Sequence, residues 1–197
     1  MKRKKRTFYF LSWLVLMLPA FLTAGCGPGD RQFQARVVVG QPVPEFALTD
    51  IKGRKWNLAD LRGKVVLINF WATWCSPCRE EMPSMEALNR RLPDTSFQML
   101  TILYNDRPEF AYNLAKKIEF TAPIIVDTGS ELATQYGLTG VPETFIIDTR
   151  GVLREKFIGP QKWDSPDVIA MLEQYLPQSL TQAGLKGDSN PLSEQSY

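Results

Sequence analysis

The chain contains no histidine among its 197 residues. That absence removes the Ser-His-Asp and Cys-His catalytic pairs and every His-ligated metal site. Cysteine is scarce as well, with three residues, Cys26, Cys75 and Cys78. A structural zinc site of the usual kind takes four Cys or His ligands, which this set does not supply. Haem attachment through a CxxC pair needs His directly after the second Cys, and Arg79 stands there. Nor is there a strong excess of one charge. The formal net charge is +2, and the run KRKKR at 2–6 carries it, leaving the remainder mildly acidic. No basic field points to nucleic acid as a partner. The length suits one domain with a full-sized core.

After the basic run comes TFYFLSWLVLMLPAFLTAG, without a charged residue. Basic flank, apolar stretch and small residues together form an export signal. The apolar run is close to the roughly 20 residues that a bilayer span needs. It ends in LTAGC, and small residues before a Cys resemble the lipobox of bacterial lipoproteins. Lipidation of Cys26 is therefore the expectation, although Thr23 holds the place where Leu is commonest. The alternative is an uncleaved anchor with Cys26 incidental. Both place the rest of the chain outside the cytoplasm and attached to a membrane. Residues 1–25 read as signal or anchor, 26–37 as a tether and 38–176 as the folded domain. Residues 177–197, rich in polar residues, Gly and Pro, read as a flexible tail.

Within the domain, KVVLINF (64–70) is a continuous apolar run with β-branched residues, as in a strand buried on both faces. A helix is predicted from Ser76 to Arg91, with Pro77 in its first turn, where proline is tolerated. SFQMLTILY (96–104) reads as a strand. DRPEFAYNLAKKI (106–118) reads as a helix capped by Asp106, with Phe110, Leu114 and Ile118 on its apolar face. PIIVD (123–127) is a further strand, and SELATQYG (130–137) a short helix with Ser at its start and Gly at its end. ETFIID and VLREKFIG flank TRG as a hairpin, and SPDVIAMLEQYL (165–176) closes the domain as a helix. This alternation predicts an α/β fold. Its central sheet is mixed and mostly parallel, flanked by helices on both faces, with an antiparallel hairpin at one edge.

The Cys pair in FWATWCSPCREEMP sits where a buried strand turns into a helix N-terminus. Backbone N–H groups and the positive end of the helix dipole favour a thiolate there. Cys75 is expected to be the nucleophile and the more exposed of the two. Cys78, one turn on, would resolve a mixed disulfide. The bland reading is a structural staple, which a four-residue ring supports poorly because it removes little chain entropy.

NFWATWCSPCREEMP resembles the active site of thioredoxin-like proteins, and TGVPETFIID resembles their second signature, whose proline is cis and faces the Cys pair. Pro142 holds that place. GQPVPEFALTDIKGRKWNLADLRGK is similar to the N-terminal extension of the membrane-tethered TlpA/ResA/DsbE branch, and the helix at 106–118 fits that branch's central insertion. The resemblance covers about residues 38–176. It implies a thioredoxin-like fold and thiol–disulfide oxidoreduction through a redox-active Cys75–Cys78 disulfide, with no metal and no cofactor. It also implies a substrate surface at Trp74, Val141 and Pro142. Protein disulfides, apocytochrome c among them, would be the substrates, and a membrane thiol carrier the electron donor. Pro77 before the second Cys suggests a reducing role. Where thioredoxins have a buried Asp, this chain has Asn69. The ResA-like branch instead carries a Glu three residues after the second Cys, and Glu81 stands there as a residue expected to tune the site. Glu80 and Arg79 read as solvated helix-face charges. Two other classes share parts of this pattern. A copper chaperone of the Sco type needs a His ligand. A peroxiredoxin places Thr three residues before its reactive Cys, and Thr73 is one residue too close to Cys75.

Overall fold

The computed structural model describes residues 37–92 and 96–177. The expected signal or anchor, Cys26, almost all of the tether and almost all of the tail lie outside the described residues. Among the described residues no helix is long and apolar enough to cross a membrane.

Seven strands form one sheet: β1 (Ala47–Asp50), β2 (Lys55–Asn57), β3 (Val65–Trp71), β4 (Phe97–Leu103), β5 (Ile124–Val126), β6 (Glu143–Ile147) and β7 (Leu153–Ile158). Their order is β2-β1-β5-β4-β3-β6-β7. The four helices are α1 (Ser76–Arg91), α2 (Pro108–Lys117), α3 (Glu131–Gln135) and α4 (Pro166–Glu173). The mixed sheet agrees with the sequence, but the mostly parallel share does not. Parallel pairing is confined to β3–β4 and β4–β5, while β1–β2, β1–β5, β3–β6 and β6–β7 are antiparallel. The reason lies in the N-terminal extension. It folds back as a hairpin on β5 instead of crossing over through a helix, and only a crossover makes strands parallel.

The fully buried β3 sorts its side chains by the strand's period of two. Val65, Leu67 and Trp71 face α1, α2 and α4, together with Phe97, Met99 and Leu103 of β4. Val66, Ile68 and Phe70 face α3 and the N-terminal extension. On that second face Phe70, Tyr136 and Phe145 meet edge-on or tilted, with centroids 5.3–5.7 Å apart. On the first face α1 buries Met82, Met85 and Leu88, each worth about 1.5–3 kcal/mol of transfer free energy at most.

Two of the helix-end signals act as the sequence implies. Ser165 Oγ accepts from Val168 N at 3.4 Å and caps α4. Gly137, at φ 63°, ends α3 in the left-handed region that glycine adopts freely. Two others do not. Ser130 does not cap α3 with its side chain; Asp127 does, accepting from Leu132 N at 3.2 Å and Ala133 N at 3.1 Å. Asp106 does not cap α2, whose N-cap is Arg107. The apolar face of α2 is also shifted by one residue. Ala111 and Ala115 are buried against the core, Leu114 is half-buried, and Phe110 is 50% exposed. The small residues of α2 face the core, and the larger ones lie outwards.

This phase is testable. Ala111→Leu should overpack the α2–sheet contact and cost about 1–3 kcal/mol. Phe110→Ala should cost about 0.5 kcal/mol or less, as surface changes do. Urea melts of the two variants would separate them, and the reverse order would restore the face expected from sequence.

Candidate active site

Helix α1 begins directly after the loop that leaves β3, and Cys75 is its N-cap. Cys75 Sγ accepts the Cys78 backbone N–H at 3.2 Å. The two sulfurs form a disulfide of 2.06 Å. Both residues are buried, Cys75 at 5% exposure and Cys78 at 1%. The loop ahead of them is held from outside. Asp106 Oδ2 accepts from Thr73 N and from Thr73 Oγ1, each at 2.6 Å. The carboxylate expected to cap α2 thus fixes the approach to Cys75. The Thr73 hydroxyl is committed to Asp106 and is not turned on a cysteine as a peroxidase reading would require. Arg79 is exposed but does more than solvate a face, since it donates to Thr73 O and Ser76 Oγ. Glu80 accepts from Ser76 Oγ at 3.2 Å. Trp74 is 58% exposed beside the pair, its Nε1 donating to Asn105 O at 3.3 Å.

Across from the disulfide the Val141–Pro142 bond is cis, as the resemblance implies. Val141 O lies 3.6 Å from Cys75 Sγ. The sulfur of a disulfide has no proton to donate, so this is a contact; a reduced Cys75 thiol could donate to the same carbonyl. The loop is anchored by Glu143, which is fully buried. Its Oε1 accepts from Thr139 N at 2.9 Å and from Thr139 Oγ1. Its Oε2 pairs with Lys156 Nζ at 2.9 Å. Glu143 was legible only as a lone charge at the head of an apolar strand, and Lys156 as a charge on the neighbouring strand.

Beneath α1, Glu81 is 3% exposed. Its Oε1 accepts from Asn69 Nδ2 at 2.9 Å, and its Oε2 from Trp163 Nε1 at 2.9 Å and Gln161 N at 3.0 Å. Asn69 Nδ2 also donates to Thr144 Oγ1 at 2.8 Å. Burial raises the carboxyl above its ordinary range, and the three hydrogen bonds pull back only part of that rise. Trp163 and Gln161 carry no sequence signal that links them to position 81. Trp74, Cys75, Cys78, Val141 and Pro142 are brought to one end of the sheet; Glu81 lies on the buried side of the same helix turn, and Cys26 lies outside the described residues.

A two-cysteine disulfide on a helix N-terminus, faced by a cis-proline loop on a sheet of this order, defines a thioredoxin-like oxidoreductase. The chain belongs to the AhpC/TSA family, whose profile matches residues 39–156. It is 33% identical over 158 residues to the thiol-disulfide oxidoreductase ResA of Bacillus cereus, covering 80% of this chain and 91% of that protein. Among solved structures it is similar to a thiol:disulfide interchange protein DsbE of Chlorobium tepidum. The TM-score there is 0.61 at 28% identity, over 74% of this chain and 97% of that one. It is also similar to the exposed lipoprotein thioredoxin Etrx1 of Streptococcus pneumoniae, at TM-score 0.58 and 26% identity, over 66% of this chain and 99% of that one. The chain is a TlpA/ResA/DsbE-type thiol–disulfide oxidoreductase.

The raised Glu81 carboxyl has a stability consequence. A carboxyl whose folded-state value exceeds its unfolded one binds its proton more tightly when folded. Its contribution is fully present below the ordinary value of 4.5 and is lost as pH rises through the folded value. Wild type should therefore lose stability over that window, and Glu81→Gln should lack this slope. The variant should also lie about 1–3 kcal/mol lower at acid pH, because its amide sets an NH2 group against N–H donors. Denaturant melts from pH 4 to 8 would check both; parallel pH curves would remove the linkage.

Proposed function

We propose that the chain is a membrane-attached, extracytoplasmic reductant of protein disulfides, with Cys75 as nucleophile, Cys78 as resolving thiol and Glu81 as proton carrier. The observation that carries it is the Cys75–Cys78 disulfide at the start of α1, with the Val141 carbonyl 3.6 Å from Cys75 Sγ. In the reduced protein the helix N-terminus favours the Cys75 thiolate. That thiolate attacks a substrate sulfur, forming a mixed disulfide and releasing the other substrate sulfur as a thiolate. Cys78 then loses its proton and attacks Cys75 Sγ. The second substrate thiolate leaves, and the Cys75–Cys78 disulfide remains. Glu81 follows Cys78 by three residues on α1, and both are buried. A carboxyl held above its ordinary range suits the proton transfer at Cys78. Trp74 and the backbone of Val141 and Pro142 flank the disulfide and would receive an extended segment of substrate.

Attachment rests on the apolar run before Cys26 and on the likeness to a solved lipoprotein thioredoxin. The names of the relatives support protein thiols and disulfides as the substrate class. Apocytochrome c as the particular substrate, and a membrane thiol carrier as the source of the two electrons that re-reduce the disulfide, rest on the sequence resemblance to the TlpA/ResA/DsbE branch.

Two measurements test this reading. In cells, Cys78→Ser should accumulate reductant-sensitive mixed disulfides, and Cys75→Ser should accumulate none. Glu81→Gln should prolong the same adducts about tenfold or more, within reach of general acid–base effects. Trapping by Cys75→Ser in place of Cys78→Ser would reverse the roles. Separately, intact mass of the membrane-extracted protein should show a chain that begins at Cys26 with added acyl mass. A chain beginning at Met1 would support the uncleaved anchor.

A further inference from the structure

The end of the domain remote from the disulfide carries a cluster of exposed basic side chains. β3 and β4 run towards the disulfide, and α1 and α2 return from it. Arg90 and Arg91 sit twelve and thirteen residues beyond Cys78 on α1, about 18 Å along the axis. Lys116 and Lys117 end α2. Beside them the β1–β2 turn carries Lys52 and Arg54. All six side chains are exposed. A cleft of about 630 Å³ opens between these elements, lined by Lys52, Arg54, Arg90 and Lys116 together with Trp56 and Tyr112.

The acidic residues of this region offset the basic cluster only in part, through Lys52 beside Asp50 and the Arg90–Glu86 pair. Asp50 is buried and accepts from Lys52 N, Arg54 N and Trp56 Nε1 at 2.8–2.9 Å. Glu86 is buried between Thr121 and Arg90. Glu119 is the exposed carboxylate of the cleft. Among the described residues, Lys52, Arg54, Arg91, Lys116 and Lys117 are in no ion pair. Basic residues in a last helical turn complement the helix dipole, which accounts for those on α1 and α2. It does not account for Lys52 and Arg54, which lie in a turn between strands.

The N-terminal side of the chain meets the domain at the same end. Gly40 N donates to Leu153 O at 2.8 Å and Val43 N to Gly151 O at 3.1 Å. That places them at the β6–β7 turn, and β6 runs away from the disulfide, from Glu143 beside Phe70 to Ile147 beside Val66. Residues 26–37 reach no further than about 40 Å in any conformation. The chain thus enters at the same end of the strands as the basic cluster, along the opposite edge of the sheet, and a tether of that length lets the basic end reach lipid.

We infer that this basic end docks on anionic phospholipid headgroups, so that the disulfide is presented away from the bilayer. The inference rests on the membrane attachment proposed above. Clustered Lys and Arg gain from the negative surface potential of such a membrane within a Debye length of about 8–10 Å. The half-exposed Tyr112 adds an aromatic group suited to the interface.

The test uses the full chain reconstituted in vesicles of phosphatidylcholine alone or with phosphatidylglycerol. Flotation reads attachment. Acetylation by a membrane-impermeant reagent, followed by peptide mass spectrometry, reads docking. On the anionic vesicles Lys52, Lys116 and Lys117 should react at least threefold more slowly than on neutral ones. Lys162, next to the disulfide end, should not change, and 0.5 M salt should abolish the difference. Flotation with both vesicles and equal labelling on both would overturn docking while leaving attachment intact, and would turn the patch over to an acidic protein partner. Flotation with anionic vesicles alone, with the three lysines protected, would support docking and remove the anchor. Flotation with neither would overturn both.

Discussion

The buried carboxylate of Glu81 is the constraint around which the rest of the site is arranged. A carboxylate out of water is costly unless its oxygens are matched by donors. Here the donors come from separate places: Asn69 on β3, and Gln161 and Trp163 on the segment before α4. Meeting that demand fixes the rotation of α1 on the sheet and draws in the chain that leads to α4. It also explains why this sheet face carries Asn69 and Thr144, two polar residues bonded to each other. Remove the side chain, and several donors lose their common acceptor.

A second buried acid does comparable work across the disulfide. Glu143 pairs with Lys156 on β7 and holds Thr139, so the loop containing Val141 and Pro142 is braced from below. Asp106 braces the opposite lip by holding Thr73. The disulfide therefore sits between two loops, each tied to a carboxylate that takes no direct part in sulfur exchange. Exchange chemistry needs this arrangement, because the attacking and leaving sulfurs must line up while neighbouring backbone receives the substrate.

The far end of the domain obeys a different logic. Asp50 and Glu86 are held in internal hydrogen bonds, and most of its bases are left to solvent. The disulfide lies at one end of the strands, and the basic cluster and the chain's N-terminal approach lie at the other. The even overall composition conceals that cluster, since a net charge sums over the whole chain.

Much of the fold was legible because strand and helix periods follow from backbone geometry alone. The apolar run of β3, the bounds of α1 and the β6–β7 hairpin all appear where local pattern places them. So does the Cys75–Cys78 pair, since a CxxC after a buried strand sits at a helix N-terminus by chain geometry. Tertiary structure decided what pattern could not. It turned the extension into an antiparallel hairpin on β5. It rotated α2 onto Ala111 and Ala115. It moved Asp106 from a helix cap to the Cys75 loop, and it joined Glu81 to Trp163, 82 residues away. Partners so distant in sequence meet only when the sheet and helices have packed, because which buried donor reaches which acceptor is set by three-dimensional placement and leaves no local mark in the chain.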